Sequence, residues 1–222
     1  MTMVHLNISK QQIKELSNLD EKIKQLIKVI GDLSIPLRNN YFNALVRTIV
    51  GQQLSAKVAH VINSRLEKVF QNNITPEAIL LTPTEELRKV GISARKILYL
   101  HDLSNKVLTK EINLEGLENL SNDEVVCTLT KIKGIGNWTA EMFLIFSLGR
   151  MNVLSLEDVG LQRSAKWLYG AHKDEDGRKV LENSSKAWSP HYTTACLYLW
   201  EAVNRNLISN YKNIEEVFTK DK

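Results

Sequence analysis

Apolar residues recur along this chain at the three- and four-residue spacing of helices almost from end to end. No run alternates apolar with polar residues over the length of a half-buried strand. The pattern predicts helices over 10–30, 38–50, 56–71, 76–81, 84–89, 94–109, 122–131, 137–148, 158–169, 174–187, 190–207 and 213–219. Start signals set several boundaries. Thr75-Pro76-Glu77, Thr82-Pro83 and Ser189-Pro190 each place a capping residue before a first-turn proline. Ser121 and Glu124 have the spacing of a capping box. Phe42, Leu45, Val46 and Ile49 share one helical face and are assigned to the core. Two helices are apolar nearly all round. Between Trp138 and Leu148 the polar residues are Thr139, Glu141 and Ser147, and between Ala195 and Val203 the charged residue is Glu201. Helices of this kind are expected at the centre, so whatever flanks their ends is expected to line an interior cleft.

Composition narrows the class. A chain of 222 residues can bury a core, and 43% hydrophobic residues exclude a disordered tail or a membrane protein. No apolar run approaches the ~20 residues that span a bilayer. The N-terminus, MTMVHLNISK, lacks a leader pattern, so an intracellular protein without a membrane partner is expected. Cys127 and Cys196 both lie in apolar stretches and are expected as reduced core residues. Two cysteines exclude a Cys₄ iron–sulfur cluster. A net charge of +4 permits a nucleic-acid partner without requiring one. The histidines show no H-E-x-x-H spacing, so no metal-hydrolysis site and no cofactor are expected.

Two motifs carry chemistry. In Lys131-Ile132-Lys133-Gly134-Ile135-Gly136-Asn137-Trp138-Thr139-Ala140 one helix ends at a Gly-x-Gly turn and another begins at once. Glycines permit positive φ, and amides at such a turn form a natural phosphate site. Lys133, Gly134, Ile135, Gly136 and Thr139 are the candidate phosphate-binding residues. The alternative is a plain interhelical turn. Further on, Asp158 opens a helix, where on its own it reads as an N-cap. Its neighbour Glu157 reads as a solvated first-turn acid.

The string K-G-I-G-x-W-T-A resembles the helix–hairpin–helix of DNA glycosylases, and further blocks extend the likeness over roughly residues 38–205. Ser155-Leu156-Glu157-Asp158, with Leu161 and Arg163, resembles the P-x-D-D-x-x-L-x-R pattern of 3-methyladenine DNA glycosylases. Phe42 to Ser55 resembles their F-x-A-L-V-R-x-I-x-G-Q-Q-x-S block. Trp188 to Trp200 resembles W-x-P-Y/W-R-S-x-A-x-x-Y-L-W. There are departures: Ser155 replaces the usual Pro and Glu157 the first acid, while His191, Tyr192 and Thr193 replace an aromatic, an Arg and a Ser.

The resemblance implies an all-α, two-lobed fold across residues 1–222. Residues 36–148 would form a central lobe carrying the hairpin 129–142, residues 1–35 with 149–222 a second lobe, and the cleft would lie between them. It implies Asp158 as the catalytic carboxylate. It places Trp138, His191, Tyr192 and Trp188 in the base pocket and leaves Trp200 to core packing. Gln53 would enter the duplex where the target base has left, with Leu54 and Ser55 beside it; the alternative is an ordinary loop with Gln52 bonding backbone internally. The family's hairpin also holds a monovalent cation through backbone carbonyls. Relatives that cut the DNA backbone carry a nucleophilic lysine at the position of Trp138, and an indole cannot form a Schiff base. The implied function is monofunctional hydrolysis of the N-glycosidic bond of alkylated purines, such as 3-methyladenine and 7-methylguanine, by a monomer acting on double-stranded DNA. A glycosylase for another damaged or mismatched base, or a non-catalytic module binding damaged DNA, are the rivals.

Overall fold

The computed structural model describes residues 4–220. In chain order the elements are β1 (His5–Asn7), α1 (Lys10–Leu19), α2 (Glu21–Ile30), β2 (Ser34–Pro36), α3 (Tyr41–Gly51), α4 (Ala56–Val69), α5 (Pro76–Leu81), α6 (Thr84–Val90), α7 (Ala94–Leu108), a 3₁₀ turn (Glu115–Asn119), α8 (Asn122–Leu129), α9 (Asn137–Phe146), α10 (Val159–Tyr169), α11 (Gly177–Ser185), α12 (Tyr192–Asn204), α13 (Leu207–Asn210) and α14 (Ile214–Lys220). The fold is helical, as the periodicity requires. Among the described residues no helix is long and apolar enough to cross a membrane. The chain forms two compact units: Arg38–Leu148, and the residues up to Leu37 together with those from Gly149 onward.

The Arg38–Leu148 unit is built around α3. Phe42, Leu45, Val46 and Ile49 are all buried, and α3 packs against α4, α7 and α9. Thr75 caps α5 through Ala78 N–H at 3.2 Å, with Pro76 in the first turn. The Ser121–Glu124 capping box closes the start of α8. Thr82 does not cap α6. Its hydroxyl donates back to the Ala78 carbonyl at 2.7 Å and so finishes α5, and α6 starts after Pro83. Cys127 is exposed, contrary to expectation, because α8 turns Val125 and Leu129 inward.

The other unit centres on α12, whose Ala195, Cys196, Tyr198, Leu199 and Ala202 have no exposed surface. It packs against α2 and α10. The expected single helix over 10–30 is broken at Asp20, which closes α1 through its backbone N–H to the Leu16 carbonyl. Its carboxylate then caps α2 by accepting from Lys22 N–H at 2.9 Å and Ile23 N–H at 3.0 Å. β1 and β2 pair antiparallel, Leu6 opposite Ile35; three residues each are too few to display an alternating pattern. Pro190 does not open α12. The Ser189–Pro190 bond is cis, His191 N–H bonds the Trp188 carbonyl at 2.6 Å, and the helix begins at Tyr192.

Candidate active site

In the Arg38–Leu148 unit the hairpin joins α8 to α9. Gly134 has φ +82°, and a Cβ there would stand 2.2 Å from the Tyr99 ring, so the backbone lies against that ring and excludes any side chain. Gly136 precedes α9 with no side-chain cap, and a Cβ there would meet open space. The first amides of α9 thus begin at a bare, accessible backbone, the geometry that suits an anion. The candidate set narrows elsewhere. Ile135 is buried and its N–H is given to the Ile132 carbonyl at 3.1 Å, so it holds the turn from within. Lys133 gives its N–H to Asp102 at 2.9 Å, and its exposed ammonium lies 3.8 Å from the same carboxylate. Thr139 is buried. The turn's main-chain oxygens, with two lone pairs each, are the donor type a monovalent cation takes.

The loop after α3 is a tight turn. Leu54 N–H bonds the Gly51 carbonyl at 3.2 Å. Gln52 has φ −53° and ψ 135°, and Gln53 has φ +57°. These are the marks of a type II β-turn with glutamine at the corner that favours glycine. The left-handed conformation costs a side-chain-bearing residue ~1–2 kcal/mol. Such strain persists where neighbours enforce it. Gln52 Nε2 donates to the Gly134 carbonyl at 2.7 Å, tying the turn to the hairpin. Lys96 Nζ donates to the Val50 carbonyl at 2.7 Å and the Gln52 carbonyl at 2.9 Å. Burial, and then the charge of Arg95, holds the Lys96 ammonium below its ordinary pKa. Ser55 caps α4 through Val58 N–H at 3.3 Å, while Gln53 and Leu54 are exposed. A groove of about 530 Å³ runs along this surface, bounded by Gln53 and Leu54, by Arg95 and Tyr99 of α7, and by Trp138, which is 40% exposed. Arg95, Lys96 and Tyr99 were invisible to the sequence reading. A lysine in a first helical turn carries no signal until its carbonyl partners are known.

In the other unit Asp158 caps α10. It is 8% exposed, and its Oδ1 accepts from Leu161 N–H at 2.8 Å and from Trp200 Nε1 at 3.0 Å. A Cβ on Gly160 would stand 3.0 Å from Oδ1 and 3.6 Å from the Trp200 ring, so the glycine makes room for both groups. Trp200 packs against the core of its unit, as expected, and also donates to the candidate carboxylate. Glu157 is exposed and accepts from Arg178 Nε at 2.8 Å.

The expected base-pocket tryptophan Trp188 is corrected. It has no exposed surface and gives its indole N–H to Asp20 at 2.9 Å, so it offers nothing to a ligand. His191 is also buried, with Nε2 3.0 Å from Glu15. Tyr192 is half-buried against the core of its unit.

A family model described as "HhH-GPD superfamily base excision DNA repair protein" matches residues 46–190. The chain is 36% identical over 202 residues to DNA-3-methyladenine glycosylase 1 of Schizosaccharomyces pombe, covering 88% of this chain and 87% of that one. It is similar to the crystal structure of a DNA-3-methyladenine glycosidase from Bacillus halodurans, with TM-score 0.85 and 40% identity over 98% of this chain and 100% of that one. A 3-methyladenine DNA glycosylase of S. pombe in complex with abasic DNA superposes with TM-score 0.80 and 34% identity, over 88% of this chain and 97% of that one.

Proposed function

The chain belongs to the HhH-GPD superfamily of base excision DNA repair proteins, and we propose that it is a monofunctional DNA glycosylase. Its substrate is double-stranded DNA carrying alkylated purines, and it acts inside the cell without a cofactor. The observation that carries the reading is Asp158, a buried carboxylate oriented by the Leu161 and Trp200 N–H groups.

The chemistry asks little beyond such a carboxylate. A purine methylated at N3 or N7 is already cationic, so it leaves as a neutral base when the C1′–N bond breaks. Positive charge grows on the deoxyribose, and water then forms the C1′–O bond and loses a proton. Asp158 stabilises that charge, and its fixed orientation means no reorganisation is needed as the bond breaks. The damaged nucleotide must first leave the stack. Gln53, at the exposed tip of its turn, fills the space it vacates. The open backbone at Gly136 and the start of α9 take a phosphate, with the exposed Lys133 ammonium nearby in sequence. Trp138 offers an aromatic face that favours a cationic base by ~0.5–2 kcal/mol. Main-chain oxygens of the hairpin would hold the family's monovalent cation; no step of base release is routed through it.

Duplexes carrying single lesions test the reading. Release of 3-methyladenine and 7-methylguanine, with no strand cleavage, is the expected result. Intact alkylpurines beside release of a deaminated or oxidised base would overturn the substrate class. A borohydride-trapped enzyme–DNA adduct would overturn the monofunctional assignment.

A further inference from the structure

The Gly51–Leu54 turn holds an unfavourable choice. Type I and type II turns differ by a flip of the central peptide, here the one joining Gln52 to Gln53. With a side chain at the third corner, type I is the relaxed form, placing that residue at negative φ. Gln53 is nevertheless at φ +57°. The group that meets the flipped peptide is Lys96, whose ammonium lies 2.9 Å from the Gln52 carbonyl and 2.7 Å from the Val50 carbonyl. Charge-assisted bonds of this kind exceed neutral ones and outweigh the strain of one left-handed residue. Lys96 also belongs to a platform. On the following turns of α7, Tyr99 backs Gly134 and Asp102 accepts the Lys133 N–H. One helix therefore braces the Gln53 turn through Lys96 and the hairpin through Tyr99 and Asp102.

We propose that Lys96 is a positioning residue for base release: it latches the Gln52–Gln53 peptide in its flipped orientation and so aims the Gln53 side chain. The inference rests on the reading of Gln53 as the group that fills the vacated space. Without the latch the turn relaxes to type I, and Gln53 points elsewhere on an otherwise intact unit.

A double-mutant cycle tests it, read as single-turnover release of 7-methylguanine from a fully paired duplex at saturating enzyme. Lys96→Met is expected to slow release about tenfold, the loss of the charge-assisted bond that holds the Gln52 carbonyl. Gln53→Ala is expected to slow it at least as much. The combination should be no slower than Gln53→Ala alone, because Lys96 acts through Gln53. Lys96→Arg, which still donates to carbonyls, should restore most of the rate. The turn itself is read by the NOE between Gln52 Hα and Gln53 HN, strong in type II and weak in type I; it should fall in Lys96→Met and persist in Lys96→Arg. Additive losses, or an unchanged NOE in Lys96→Met, overturn the proposal. If Lys96→Met does not fold, Lys96→Gln carries the same cycle, since its neutral amide cannot replace the charge-assisted bonds. Wild-type release by Gln53→Ala would instead sink the role of Gln53, a failure distinct from that of Lys96.

Discussion

Asp20 and Asp158 belong to the same unit and look alike by every local criterion. Each caps a helix, and each accepts an indole N–H, from Trp188 at 2.9 Å and Trp200 at 3.0 Å respectively. Their donors differ. On Asp20, Oδ1 takes the Lys22 and Ile23 amides, and Oδ2 takes the Trp188 indole and the Tyr169 hydroxyl. Burial, and then the hydrogen bond to Asp20, raises the Tyr169 pKa and keeps that hydroxyl a donor. Asp20 is thereby spent on joining α2 to α10 and to the loop at Trp188. On Asp158 the Leu161 and Trp200 donors converge on Oδ1, and Gly160 leaves the space beside it clear of a side chain. The Trp200 bond also ties the start of α10 to α12, and the shared Oδ1 fixes the direction of the carboxylate. Capping, indole pairing and the joining of helices are shared, so none of them marks function; the difference lies in how the donors are placed, over both oxygens of Asp20 but with Leu161 and Trp200 both on Oδ1 of Asp158.

The largest effect that could break this contrast is Asp158→Asn. The amide keeps the shape and still accepts at Oδ1, so thermal stability should change little. Single-turnover release should fall about 10³-fold, the scale of removing a preorganised electrostatic partner. Release within tenfold of wild type would remove Asp158 from the mechanism. Asp20→Ala should do the reverse. Losing the cap and orphaning the buried Trp188 and Tyr169 donors should destabilise the fold by about 3 kcal/mol, measured by urea unfolding. Release per folded molecule should stay near wild type. A folded Asp20→Ala enzyme with lost activity would erase the distinction.

The sequence was legible where one residue and its near neighbours decide the structure. Thr75-Pro76, the Ser121–Glu124 box and the buried face of α3 all depend on contacts within a turn or two. Asp158 was legible as a cap for the same reason, and as a candidate catalyst only through family resemblance. The break at Asp20 was hidden because apolar periodicity continues across it while the cap is made by a side chain. The tryptophans were half legible: Trp200 packs against the core as expected but also pairs with Asp158, and Trp188, placed in the pocket, is buried. A buried indole N–H must find an acceptor. Those acceptors, Asp20 and Asp158, are distant in sequence from the indoles they pair with, so no local pattern reveals them. The Gln53 turn was legible as a loop, whereas its left-handed corner depends on Lys96, a partner brought by another helix.

A finer test exchanges the two indoles for phenylalanine, which keeps a ring and deletes the donor. Trp200→Phe should slow release about tenfold by loosening Asp158, with a smaller change in stability. Trp188→Phe should lower stability by ~1–2 kcal/mol, since Asp20 loses a buried partner, and leave the release rate alone. If both variants lose stability alone, Trp200 is only core packing, as its sequence position suggested. If both lose rate alone, Asp20 has a share in the chemistry that its donors do not suggest.

The smallest expected effect comes from the acid beside the proposed catalyst. Glu157 and Asp158 are adjacent, but Glu157 lies at the surface, where Arg178 Nε donates to it at 2.8 Å. Both side chains of that pair are open to water, so screening leaves little of its attraction to lose. Glu157→Gln should therefore release 7-methylguanine within about twofold of wild type and unfold at nearly the same temperature. The comparison sharpens because the substitution is chemically the same as Asp158→Asn, one carboxylate to amide a single residue away. A large loss at Glu157 together with a mild one at Asp158 would move the reacting carboxylate to the surface pair. The opposite outcome locates the chemistry in the carboxylate that Leu161 and Trp200 hold in place.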